Sequence, residues 1–253
     1  MTAIVMVHGA FCGGWSFDPF RGPFEAAGLQ VLAPDLRGHA AGDREQAVIG
    51  VSMADYAADI ARLCDSLPEP PVLLGHSMGG LVAQLAARRS TIRALVLLAP
   101  SPPWGVAASS LEEAATAFGV QFMGAFSSGA LQPERSLMRT YSLDRLSRDD
   151  REAAIALLRP ESGQAVRETL NWWLDPFMTT SVGPGPMAVP SLVLCGERDL
   201  VHSPSTAKAV AERIAADFEV LPGMSHWLVG EPGWETVAGK VLAWLTETVS
   251  LAA

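Results

Sequence analysis

Short apolar runs recur along this chain, each bounded by Gly, Pro or Asp: "AIVMV" (3–7), "LQVLA" (29–33), "PVLLG" (71–75), "ALVLLA" (94–99), "SLVLC" (191–195) and "FEVL" (218–221). Apolar at successive positions and rich in Val, Leu and Ile, they predict strands buried on both faces, the pattern of a parallel sheet. Helical spacing lies between most of them. Residues 52–67 place Met53, Tyr56, Ile60, Leu63 and Leu67 on one face, and Ser52 with Asp55 has the spacing of a capping box. Further helices are predicted over 78–89, 204–215 and 233–249, the last with Val237, Val241, Trp244 and Leu245 on one side. Strand and helix in alternation predict a mainly parallel sheet of about six strands covered on both faces.

The alternation stops between residues 100 and 189, where no buried strand is predicted. Helical spacing continues there, first in Leu111, Ala115, Phe118 and Phe122, then in Ile155 with Leu158, then in Val166, Leu170 and Trp173. Ser147 with Asp150, and Ser162, are N-cap candidates. The expected organisation is an α/β core of residues 1–100 and 189–253, with a helical cap of residues 101–188 inserted over the sheet's carboxyl edge. The turn-rich "SVGPGPMAVP" (181–190) returns the chain to the sheet.

Charge and cysteine usage narrow the classes. The 253 residues carry 18 Lys plus Arg against 27 Asp plus Glu, a net charge of −9. Phosphate binding needs clustered cations, so neither nucleic acid nor an anionic membrane is an expected partner. Cys12, Cys64 and Cys195 are odd in number and far apart, which speaks against a disulfide framework or a zinc site and for reduced thiols. The N-terminus lacks the basic region of a signal peptide, and no apolar run approaches a membrane span. The expectation is a soluble cytoplasmic protein without metal or cofactor.

Candidate chemistry begins at "LLGHSMGGL" (73–81), where one serine sits among small residues between a strand signal and a helix signal. A bare G-x-S-x-G is weak evidence; on a strand-to-helix turn it becomes strong. Such a turn forces Ser77 into a strained conformation, so Gly75 and Gly79 must be small, and it lifts the hydroxyl to the sheet's carboxyl edge beside a helix N-terminus. A serine needs a base. Of five histidines, His8 is expected to organise its own loop, His39 to lie in an exposed loop, and His76 to point away from its neighbour. His202 and His226 both follow late strands, and the chain order Ser, acid, His selects His226. Asp199 in "CGERDLV" is the first choice of acid and Glu197 the second, while Asp35 is expected to tie down its own loop. The N–H groups of Met78 and Ala10 are the candidate oxyanion donors, with Gly9 allowing close backbone approach.

Taken together, "VHGA", "PDLRGH", "GHSMGG", "GERD" and "GMSHW" resemble the α/β-hydrolase family across the chain outside the cap, and most nearly its plant methylesterase and hydroxynitrile-lyase group. The resemblance implies Ser77 as nucleophile, Asp199 as acid, His226 as base, and Ala10 with Met78 as oxyanion donors. Two positions depart from the lyases of that group: Gly9 stands where they carry threonine, and Trp227 where they carry lysine. The esterase reading gains from both.

The cap is rich in aromatic residues and Met, most of them expected in its own core, with some roofing the pocket. Phe11, Cys12, Trp104, Phe122, Trp173 and Trp227 are the candidate pocket residues. They describe an apolar site for a small or medium uncharged ester. The expected activity is that of a serine carboxylester hydrolase working through an acyl-enzyme. A lactonase or C–C bond hydrolase would use the same three residues; a hydroxynitrile lyase or a non-catalytic binding protein on this scaffold fits less well. Oligomeric state is not readable from the chain.

Overall fold

The computed structural model describes residues 2–107 and 129–249 and turns each of the six apolar runs into a strand. In chain order these are β1 (Ala3–Val7), β2 (Gln30–Leu32), β3 (Val72–His76), β4 (Ala94–Leu98), β7 (Ser191–Gly196) and β8 (Asp217–Leu221). They form one sheet in the order β2-β1-β3-β4-β7-β8, every pair parallel. Alternate residues face opposite layers, as strand geometry requires. Ile4, Met6, Val72, Leu74, Val96 and Leu194 join one buried cluster; Val5, Val7, Leu73, Leu95, Leu97 and Val193 join the other.

The first layer is closed by α1 (Asp18–Ala26), through Phe20 and Phe24, and by α7 (Trp234–Val249), through Val237, Val241 and Leu245. The opposite layer holds α2 (Met53–Ser66), α3 (Met78–Ala87) and α6 (Pro204–Ile214). Both halves of the expected capping box at Ser52 and Asp55 are made. No local pattern marks α1, because "DPFRGPFEA" carries Gly22 and Pro23 in its interior, both unfavourable there, while Pro19 lies in the first turn where proline is tolerated. Packing of Phe17, Phe20 and Phe24, all fully buried, outweighs that penalty.

Between β4 and β7 the insertion contains a short helical segment over residues 135–142, α4 (Arg148–Leu157) and α5 (Gly163–Leu170). Ser147 and Ser162 cap the two helices as expected, accepting from the N–H groups of Asp150 and Ala165. The expected helix through Leu111, Ala115, Phe118 and Phe122 lies outside the described residues. One feature of the insertion corrects the sequence reading. A two-residue antiparallel ladder pairs β5 (Ala130–Leu131) with β6 (Glu161–Ser162), and β6 is buried. A search for apolar runs passes over it because its side chains are polar; they are satisfied by partners remote in sequence, such as Val51 O for the Ser162 hydroxyl at 2.5 Å.

The strand order reverses about β1: β2 lies on one side of it and β3 on the other. In an open parallel sheet that switch point leaves a crevice at the carboxyl ends of the strands. Residues after β1 and β3 therefore meet there.

Candidate active site

Ser77 alone separates β3 from α3, and its backbone pays for the turn with φ 54° and ψ −124°. Positive φ at a residue with a Cβ costs on the order of 1–3 kcal/mol and needs outside support. The support is backbone hydrogen bonding: Ser77 N–H donates to Leu98 O at 3.0 Å, and Ser77 O accepts from Gly80 N–H at 2.8 Å and Ser101 N–H at 2.9 Å. A side chain on Gly75 would strike the Gly79 carbonyl, and one on Gly79 would strike the carbonyls of Val7 and His8. The small flanking residues are required by backbone packing. Ser77 thus stands at the start of α3, whose first N–H groups have no intrahelical acceptor.

The loops after β7 and β8 are joined backbone to backbone. Arg198 N–H donates to Met224 O at 2.8 Å and Glu197 N–H to Leu221 O at 3.0 Å, and a side chain on Gly196 would strike Ser225 O. This seam brings Asp199 Oδ2 to 2.9 Å from His226 Nδ1. His226 Nε2 lies 3.0 Å from Ser77 Oγ. A carboxylate only accepts, so the imidazole proton sits on Nδ1 and Nε2 is free to take the serine's proton. Asp199 is 2% exposed, and its Oδ1 accepts from the N–H groups of Val201 and His202. Burial opposes the carboxylate, but the charge and hydrogen bond of His226 prevail with help from His202, and the carboxyl is held below its ordinary value.

The other carboxylates are occupied elsewhere. Glu197 is exposed and accepts from Gly223 N–H; Asp35 Oδ1 accepts from Gly14 N–H at 2.8 Å. The remaining histidines are structural neighbours of the site. His8 donates through Nδ1 to Gly9 O and accepts the Leu36 N–H on Nε2. Burial, then the proximity of His39, lowers its pKa to about 4, so it is neutral. His76 donates through Nε2 to His226 O at 2.9 Å and so braces the histidine loop. Burial and the nearby His226 lower its pKa to about 3. His202 Nε2 pairs with Ser101 Oγ at 2.8 Å. The expectation of an exposed His39 is corrected: the residue is 2% exposed and bonded to Glu161, a partner too distant in the chain for local pattern to reveal.

Beside the serine runs the loop after β1. A Cβ on Gly9 would lie 3.1 Å from Ser77 Cβ, tighter than ordinary contact, so the loop presses directly on the serine. Ala10 and Met78 both line the cavity above Ser77.

That cavity holds about 120 Å³. Phe11, Cys12 and Trp227 line it, as the sequence suggested. Burial, then Glu161, raises the Cys12 thiol pKa, so it stays protonated and serves as an apolar wall. Trp104 and Trp173 are corrections. Trp104 packs edge-on against Trp172 at 5.2 Å, Trp173 is 57% exposed, and neither is among the described wall residues. Aromatic content alone could not say which face of the insertion each ring would take. Phe122 lies outside the described residues. The insertion instead supplies Leu137, Met138, Tyr141, Val166 and Leu170, and Ser101 with His202 adds a polar corner. The chain alone gives none of these a pocket role: Val166 and Leu170 read as a helical face, and His202 as a rival base.

A model of the alpha/beta hydrolase family matches residues 4–238. A pyrethroid hydrolase of Sphingobium wenxiniae is 38% identical over 80 residues, 32% of this chain and 28% of that protein. Salicylic acid-binding protein 2 of Nicotiana tabacum is 37% identical over 110 residues, 42% of each. Both alignments thus span less than half of the curated relative. A methylesterase from Arabidopsis superposes with a TM-score of 0.69 at 19% identity, covering 100% of both chains. Among the described residues no helix is long and apolar enough to cross a membrane.

Proposed function

The chain belongs to the alpha/beta hydrolase family, and we propose that it is a serine carboxylester hydrolase acting on small, uncharged, largely apolar esters. The observation that carries this reading is the run Asp199–His226–Ser77, 2.9 and 3.0 Å, ending beneath an apolar cavity. His226 takes the Ser77 proton as Oγ attacks the ester carbonyl, and Asp199 stabilises the imidazolium. The N–H groups of Ala10 and Met78 receive the oxyanion. His226 then protonates the departing alcohol, and water attacks the acyl-enzyme by the same route in reverse. Relatives named as a pyrethroid hydrolase and as methylesterases support ester chemistry. The small cavity and apolar walls support an uncharged substrate. Three free, buried cysteines accord with a reducing compartment such as the cytoplasm.

The test is a panel of p-nitrophenyl esters of increasing acyl length, assayed beside lactones and β-diketones, with Ser77→Ala as control. Turnover of short esters is expected, falling about 10⁴-fold or more in the variant. Equal rates in the two proteins would remove the mechanism, and preference for a lactone or a diketone would move the substrate class.

A further inference from the structure

Glu161 lies in β6 and is fully buried, outside the residues that touch Ser77. A sealed carboxylate is tolerated only when its oxygens are filled. Four groups fill them: Oε1 accepts from Tyr56 O–H at 2.7 Å and Ser162 N–H at 2.7 Å, and Oε2 accepts from His39 Nε2 at 3.1 Å and Phe11 N–H at 3.3 Å. Tyr56 and His39 staple the insertion to the core, and Ser162 is Glu161's own neighbour in β6. The fourth is the backbone of the loop beside the serine.

Phe11 has φ 64°, a left-handed conformation rare for a bulky residue. Both of its backbone groups are held by the insertion: its N–H by Glu161, and its carbonyl by the Arg159 N–H at 2.8 Å. The peptide on the other side of Ala10 is gripped too. Gly9 O, which shares a peptide plane with Ala10 N–H, accepts from His8 Nδ1 at 2.9 Å and Cys12 N–H at 3.3 Å. Ala10 therefore lies between two clamped peptide planes, and trans geometry turns its N–H opposite to the Gly9 carbonyl. His8 grips the plane before Ala10; Glu161 grips the plane after it.

We infer that Glu161 is a positioning residue for the oxyanion side of the site, holding Phe11 so that the Ala10 N–H faces the developing charge at Ser77. The inference rests on the esterase reading. It makes the insertion part of the reaction machinery rather than only the roof of the pocket, and it assigns His39 as the buried counter-ion that keeps Glu161 an acceptor.

Glu161→Gln tests it, because an amide of the same shape has one oxygen to accept and an NH2 that only donates. With active sites titrated by a fluorophosphonate, kcat for a p-nitrophenyl ester is expected to fall ~10- to 100-fold with KM within about twofold. Affinity for an alkyl boronic acid, whose Ser77 adduct carries an oxyanion, should fall by a similar factor. A lowered melting temperature with unchanged kcat per titrated site and unchanged boronate affinity overturns the role. Should Glu161→Gln not fold, His39→Gln gives the same measurement, since without the imidazolium the sealed carboxyl loses the charge that keeps it an acceptor and its hold on the Phe11 N–H weakens. Unchanged values there overturn it equally. A wild-type protein without ester turnover sinks the functional reading itself, whereas active wild type with an unaffected variant sinks only the positioning role.

Discussion

Among the described residues two sealed carboxylate–imidazole pairs stand out, and only one of them reaches the Ser77 hydroxyl. Asp199 meets His226 at 2.9 Å and Glu161 meets His39 at 3.1 Å. In both, burial works against charge and the imidazole partner prevails, holding the carboxyl below its ordinary value. For His39 too, burial opposes the charged ring, but the charge and hydrogen bond of Glu161 hold its pKa above the usual value. The pairs differ at the second ring nitrogen. His226 turns Nε2 to the Ser77 hydroxyl beneath the cavity, whereas His39 turns Nδ1 to Arg37 O at 3.2 Å. A carbonyl and a carboxylate both only accept, so both ring nitrogens of His39 carry protons and neither has a lone pair to offer. An acid beside an imidazole is thus not a catalytic signature. The third partner decides.

Removing each pair should break this comparison unequally. Asp199→Asn is expected to lower kcat by about 10⁴-fold, since the amide favours the wrong tautomer of His226. His39→Gln should cost about 10- to 100-fold. Steady-state rates on one ester, normalised to titrated sites, check the ordering, and equal losses would mean the two pairs share one role.

A third buried carboxylate, Glu231, sharpens the contrast because no imidazole is bonded to it. Its Oε1 accepts from Ser225 N–H at 2.7 Å, and Arg145 Nε stands 3.9 Å from Oε2. Burial raises its pKa from 4.5 to about 7. The folded protein then binds a proton that the unfolded chain has lost, so stability falls as pH rises from 4.5 to about 7 and is level above. Glu231→Gln should therefore gain about 1–2 kcal/mol at pH 8, a rise of ~2–8 °C in melting temperature, and gain nothing at pH 4.5. Melting curves at the two pH values check the sign. A gain confined to acid would refute the assignment.

The smallest effect is expected at Trp173, which the structure leaves exposed. Trp173→Ser should leave kcat/KM within about twofold and stability within about 0.5 kcal/mol. A large loss of kcat/KM would return this ring to the pocket.

Much of the architecture was legible because it is local. Continuous apolar runs mark the six strands and period-3.6 patterns mark α2, α3, α6 and α7, and the capping box at Ser52 needs only residues three apart. Ser77 on a strand-to-helix turn is local in the same sense, and chain order then pointed to His226 and Asp199. Tertiary structure alone decided the rest. α1 forms through Pro19 and Pro23 because three phenylalanines find a sheet to cover. Glu161 is a buried acceptor only because His39 lies 122 residues and Phe11 150 residues away in the chain, yet adjacent in space. Which aromatic rings face the cavity was settled in the same way, Trp227 inward and Trp173 outward. Local patterns record how a segment meets water and its own backbone, whereas the cost of burying a polar group depends on partners that only folding supplies.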